Sequence, residues 1–221
     1  KDHKREQVTQ KVREIVSQGH KVLLISTFSD TVIDYYRYMA KEGAIADCGI
    51  GMVIGSRKLY YRSDLDQVVT VSPNNAVKET NQQLGLKRQQ IFRLFAPAAT
   101  CRNPAERPQP EEEISVLIGS ETLSVGQNLQ DADYLINIDL PWNPMILEQR
   151  IGRIDRPKQR QVENIYIYYA NSESQLLRQA SRLSNLNKKL VGDLVEESGA
   201  IRNIERIDAL GASIYGDTLF D

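Results

Sequence analysis

The sequence predicts an α/β fold, a parallel sheet with helices on both faces. Two observations carry this. Short apolar runs at residues 22–25, 50–54, 114–118, 134–138 and 164–169 have strand length, and stretches of helical periodicity alternate with them. The runs are also apolar along their length, as strands buried on both faces are. At 221 residues, with 41% apolar and 26% charged residues, the chain has an ordinary globular composition and room for one domain or two small ones.

Taken in order, Val8, Val12, Ile15 and Val16 mark one face of a first helix that ends near Gly19. The strand at 22–25 follows, and Ser26 to Asp30 form the turn into a second helix. There Val32, Ile33, Tyr36, Met39 and Ala40 share a face, and Gly43 is the expected C-cap. After the strand at 50–54 the alternation stalls. Residues 56–86 hold a possible strand at 68–71, the turn Ser72-Pro73-Asn74-Asn75 and a polar helix through Leu84. Residues 96–113 contain Pro97, Pro104, Pro108 and Pro110 and read as a mobile surface loop. After the strands at 114–118 and 134–138, Asn143 and Pro144 suit the N-cap and first position of a helix. Leu147, Ile151 and Ile154 give that helix its buried stripe. The strand at 164–169 closes the sheet, and a long helix carries Leu176, Ala180, Leu183, Leu190 and Leu194. The tail from Ala200 is weakly patterned and receives no assignment.

Composition narrows the function. No apolar run approaches the roughly 18 residues of a membrane helix and no signal peptide is visible, so a soluble, cytoplasmic protein is expected. Cys48 and Cys101 read as free thiols, and His3 and His20 stand apart from any cysteine pair, so no metal site is expected. A net charge of −1 argues against a strongly basic nucleic-acid wrapper but leaves room for a local positive groove. Because the chain begins with Lys1, it reads as a piece of a longer polypeptide.

The sharpest chemical signal is Arg150, Arg153 and Arg156 at three-residue spacing. Guanidinium forks match phosphate oxygens in pairs, and Arg153 and Arg156 point away from the apolar stripe. Pro157 disfavours helical geometry at Arg156, which puts that arginine at the fraying end. A competing site would be Ile136 to Asp139 as a magnesium-binding strand end. The next residue, however, is Leu140 and not a second acid, and no Gly-x-x-x-x-Gly-Lys-Ser/Thr loop occurs in the chain. Asp139 therefore reads as a strand-end residue, and the chain lacks a nucleotide site of its own.

The run Ser120-Glu121-Thr122, Gly126-Gln127-Asn128-Leu129, Asp139-Leu140-Pro141-Trp142-Asn143-Pro144 and Gln149-Arg150-Ile151-Gly152-Arg153-Ile154-Asp155-Arg156 resembles motifs V and VI of superfamily-two helicases and translocases. Within them it is most similar to the Swi/Snf type and its bacterial RNA-polymerase-associated ATPase branch. Lys21 to Thr31 resembles motif IV, and Arg88 to Phe95 resembles the helix between motifs IV and V.

The resemblance implies a three-layer RecA-like lobe over residues 1–170, the second of two, with a helical extension over 171–221. It makes residues 56–86 an insertion. It implies Arg153 and Arg156 as arginine fingers; Gly126, Asn128 and Gln149 at the ATP; and Ser26, Thr27, Ser120 and Thr122 as nucleic-acid contacts at strand ends. Glu121 orients a neighbour and Arg150 is structural. ATP is the expected cofactor, with Mg2+ held by a first lobe that the chain lacks, so the isolated chain is expected to be inactive. Expected partners are that first lobe, duplex DNA, and RNA polymerase or another DNA-processing complex. A non-catalytic interaction domain and the lobe of an RNA helicase are the alternatives.

Overall fold

The computed structural model describes residues 3–55, 57–61, 70–71, 77–78, 88–124, 127–139, 141, 143–155, 164–170 and 201–207. Helix α1 (His3–Ser17) buries Val8, Val12, Ile15 and Val16 on one side. It closes with a Schellman pair, Gly19 N–H to Val16 O at 3.0 Å and His20 N–H to Ile15 O at 3.2 Å. Gly19 makes the reversal with a φ of 80°, a left-handed geometry that a Cβ would strain. Strand β1 (Val22–Ser26) is buried throughout. Helix α2 (Ser29–Met39) packs Val32, Tyr35, Tyr36 and Met39 inward. It stops at Ala40, earlier than expected, because the amides of Ala40, Lys41 and Glu42 bond back onto its last carbonyls. Gly43 thus does not cap α2 but opens a short helix, α3 (Gly43–Cys48), which leads into β2 (Ile50–Ile54).

A two-residue link containing Gly55, with φ 49°, then turns the chain into β3 (Arg57–Tyr61), antiparallel to β2 with Ile50 opposite Tyr61. These residues fell inside the expected insertion, yet they extend the main sheet, and Leu59 is buried in its core. Beyond them, β4 (Thr70–Val71) and β5 (Val77–Lys78) pair with each other in a separate ribbon. The expected turn at 72–75 and the polar helix through Leu84 lie outside the described residues.

Helix α4 (Arg88–Phe95) leads to residues 96–113. Within the stretch expected as a mobile surface loop, Pro97, Pro104 and Pro110 each open a helical turn, the first being α5 (Pro97–Thr100). Asp131 fixes α5 by accepting from the amides of Ala98 at 2.7 Å and Ala99 at 2.8 Å. Lys21 ties the two ends of this stretch together, donating to Phe95 O at one and to Glu113 at the other. Strand β6 (Val116–Ser120) begins two residues later than the apolar run suggested, because the Ser115 amide is taken by Cys48 O and Gly49 O. A tight 3-10 turn (Glu121–Ser124), β7 (Tyr134–Asn137), α6 (Pro144–Ile151), β8 (Asn164–Ala170) and β9 (Ile201–Ile207) complete the order. The helix expected around 176–194 lies outside the described residues, while β9 falls inside the helical extension expected over 171–221 yet is a strand that joins the main sheet beside β8.

The strands run β3-β2-β6-β1-β7-β8-β9, all parallel except β3. Alternate residues of β1, β2, β6 and β7 feed two cores. Val22, Leu24, Met52 and Ile136 meet α1 to α3 on one face, while Leu23, Ile25, Val53 and Leu135 meet Ile91, Phe92, Leu147 and Ile151 of α4 and α6 on the other. At the amino ends of the strands, His20 donates to Asp133 at 2.5 Å, and Tyr134 stacks on Tyr166 with ring centroids 4.7 Å apart.

Candidate functional site

The carboxyl ends of three adjacent strands form a polar rim. Strand β1 contributes Ser26 and Thr27, β6 contributes Ser120 and Glu121, and β7 contributes Asn137 and Asp139. Register sets Ser26 beside Ser120. Gly119 brings Glu121 over this rim. A Cβ there would stand 2.0 Å from Leu123 Cδ1 and 2.7 Å from Val53 O, so only glycine lets the turn fold this tightly onto the strands.

Asp139 is the acceptor of the rim. The Thr27 amide donates to its two oxygens at 3.0 and 2.9 Å and the Thr27 hydroxyl at 2.7 Å, with the Ser26 hydroxyl as a further donor. Beside it lies Arg150, whose side chain is 0% exposed. Its Nη1 donates to Asn137 Oδ1 at 3.0 Å and to Asp139 O at 2.9 Å. Its Nη2 reaches Glu121, Thr27 Oγ1 at 3.1 Å and Asp139 Oδ1 at 3.3 Å. A guanidinium taken out of water costs several kcal/mol unless paired, on the order of the ion's desolvation penalty, and here two carboxylates and three neutral acceptors meet it.

Helix α6 holds Arg150 in place. Asn143 accepts from the Met145 amide at 3.0 Å, Pro144 opens the first turn, and Leu147, Ile151 and Ile154 are buried as their spacing suggested. The helix proper ends at Ile151, and Gly152 to Asp155 continue as turns bonded back to Glu148, Arg150 and Ile151. Arg153 stands on this turn, half-buried. Its Nε donates to Gln149 O at 3.0 Å and its Nη1 to Gln127 O at 3.3 Å, while its carbonyl accepts the Leu129 amide at 2.9 Å. Two segments read separately in the sequence, 127–129 and 149–155, are therefore fastened together.

Of the expected site residues, Ser26, Thr27 and Ser120 come together at the rim. The Ser26 and Ser120 side chains are buried, and the Thr27 donors are engaged by Asp139. Gln149 is exposed on α6 and Asn128 is half-buried beside Arg153's anchor. Thr122 lies in the turn after β6, its side chain undescribed; Arg156 and Gly126 lie outside the described residues. Asn137 was not foreseen. The available signal was an amide side chain at the end of an otherwise apolar strand, which must find a partner when buried.

For ATP with Mg2+, the chemistry of these groups divides. Glu121 and Asp139 both sit on Arg150, so neither is an open oxygen ligand for magnesium, and among the described residues no three His, Cys, Asp or Glu converge as a metal site. A guanidinium such as that of Arg153 is a group that pairs with phosphate oxygens in general.

Residues 87–158 match the family described as "Helicase conserved C-terminal domain". Two curated relatives cover part of the chain. An uncharacterized ATP-dependent helicase of Bacillus subtilis, YqhH, is 44% identical over 84 residues, 37% of this chain and 15% of that protein. The RNA polymerase-associated protein RapA of Vibrio cholerae is 46% identical over 69 residues, 31% of this chain and 7% of that protein. The matched stretch thus spans a small part of either relative. Among solved structures, Dbp5 of S. cerevisiae bound to RNA and ADP BeF3 is similar over 93% of this chain and 38% of its own, at 16% identity and a TM-score of 0.50. The fold is that of a RecA-like helicase lobe.

Proposed function

With a helicase C-terminal domain over residues 87–158 as premise, we propose that the chain is the second lobe of an ATP-driven duplex DNA translocase of the Swi/Snf type. The observation that carries the reading is the fastening of Arg153, which keeps a guanidinium half-exposed on a rigid turn beside Asn128. ATP bound between this lobe and a first lobe supplies the reactive phosphoanhydride. Arg153 and Arg156 neutralise charge that builds on the transferred phosphoryl group, and Gln149, Asn128 and Gly126 line the nucleotide on this side. Phosphates of one DNA strand track along the rim at Thr27 and Thr122, with buried Ser26 and Ser120 supporting that edge from behind, contacts that carry no base information. The likeness to RapA supports RNA polymerase or another DNA-processing complex as the partner.

The test is hydrolysis by the full-length protein. Arg153→Ala and Arg156→Ala are each expected to lower kcat by about 10³-fold or more with the melting temperature nearly unchanged. Arg156→Lys should restore only part of the rate, since an ammonium lacks the two-pronged geometry. Near-parental rates in both alanine variants would make these arginines ordinary surface residues. Stimulation by RNA and not by duplex DNA would favour the RNA-helicase alternative.

A further inference from the structure

We infer that Arg150 is a junction that positions the nucleic-acid rim and the nucleotide-facing Arg153 as one unit, with Glu121 and Asp139 as the positioning residues that hold it. The inference deepens the translocase reading above and rests on it.

Reach is the first reason. One buried guanidinium touches residues at the ends of β1, β6 and β7, which lie side by side in the sheet. The ends also bond to one another through Ser26, Thr27 and Asp139, and Arg150 is the side chain that reaches all three at once. The second reason is the Thr27 hydroxyl. It accepts from Arg150 Nη2, and its single hydrogen can serve Asp139 at 2.7 Å or Glu121 at 3.3 Å. A phosphate oxygen that claims this hydrogen frees carboxylate lone pairs, which then turn more fully to Arg150. The third reason is the short path onward. The Arg153 amide bonds to Arg150 O at 3.1 Å, and the Arg153 carbonyl and side chain hold Leu129 and Gln127. A shift of Arg150 is carried over one backbone turn to Arg153.

Charge gives the linkage its sign. Two carboxylates face one guanidinium, and both are partly exposed, Glu121 at 29% and Asp139 at 18%. A polyanion approaching Thr27 meets less repulsion the more closely Arg150 pairs with them. Tighter seating of the carboxylates on Arg150 therefore favours phosphate at the rim, and by reciprocity phosphate at the rim tightens the seat from which Arg153 projects.

The experiment uses the full-length protein and Glu121→Gln, which keeps the size and the acceptor but removes one charge. Amide exchange followed by mass spectrometry should rise together in the peptide holding Thr27 and in the peptide holding Leu129. Activity is read as a cycle with Arg153→Ala. Alone, Glu121→Gln should lower DNA-stimulated kcat about tenfold with the KM for ATP nearly constant; on top of Arg153→Ala it should cause no further fall. Faster exchange at Thr27 alone, or losses that multiply, would overturn the junction. If Glu121→Gln loosens the whole lobe, Thr27→Val at an exposed position replaces it, and the same joint rise in exchange is expected. Parental hydrolysis by Arg153→Ala would sink the translocase reading separately. The exchange pair then still decides the junction: a joint rise upholds it, and a rise confined to Thr27 overturns it.

Discussion

Arg150 has no contact with solvent, yet it is a charged side chain of α6. Arg150→Ala would leave Glu121 and Asp139 facing each other, and Asn137 without its donor. Removing one partner of a buried ion pair costs about 3–5 kcal/mol, and the partial exposure of both carboxylates puts the expected loss near the lower end. Urea denaturation of this chain would read it as a lower midpoint, and an unchanged midpoint would contradict the buried pairing. The sequence suggested a structural arginine here but not its partners, because Thr27, Glu121 and Asp139 lie 123, 29 and 11 positions away. Asp133 lies at the amino ends of the strands. Burial raises its pKa, and the charge of His20 offsets only part of this. A raised pKa means that the folded state binds this proton more tightly than the unfolded state. The contribution is thus fully present below the ordinary aspartate value of about 3.9 and is lost as pH rises through the folded value. Asp133→Asn should remove that loss. The stability of the parent relative to the variant should fall as pH rises above the ordinary aspartate range, measured as paired urea midpoints; a rise would refute the sign.

At the scale of elements, α1, β1, β2 and β7 were legible because each is a short apolar run or a four-residue apolar rhythm bounded by turn residues. Strands β3 and β9 were not, for separate reasons. In Arg57-Lys58-Leu59-Tyr60-Tyr61 an edge position tolerates polar residues, so no apolar run announces a strand, and the Gly55-Ser56 link was the available signal. In Ile201 to Ile207 the isoleucines fall at 201, 204 and 207, a spacing that hides the period of two. The inclusion of β3 alters what can be cut. Replacing residues 62–87 by a short glycine linker should preserve a cooperative thermal transition, since closing a loop of this size changes chain entropy by only about 1 kcal/mol. Extending the cut to residue 57 removes Leu59 from the core and should cost at least about 1.5–3 kcal/mol. Equal melting temperatures for the two deletions would show that β3 contributes nothing to the sheet.

For the whole molecule, a lobe without a phosphate loop and with its rim acids held by Arg150 should not turn over ATP, with or without DNA. Its binding to duplex DNA should be weak and indifferent to sequence, with a log–log salt slope of about −0.9 for each phosphate neutralised. Fluorescence anisotropy across a salt series checks this, and tight sequence-selective binding would point to a different kind of protein. Among the described residues no helix is long and apolar enough to cross a membrane. The bond from the Leu129 amide to the Arg153 carbonyl has a consequence for descent. It is made by main chain alone, so no exchange of side chains at 127, 128 or 153 removes its donor or acceptor, whereas a proline at 129 would. Side chains on these two segments can therefore change while the spacing between the segments is kept. A lobe in which the geometry is held by backbone and the chemistry by side chains can keep its shape at 16% identity to a distant counterpart.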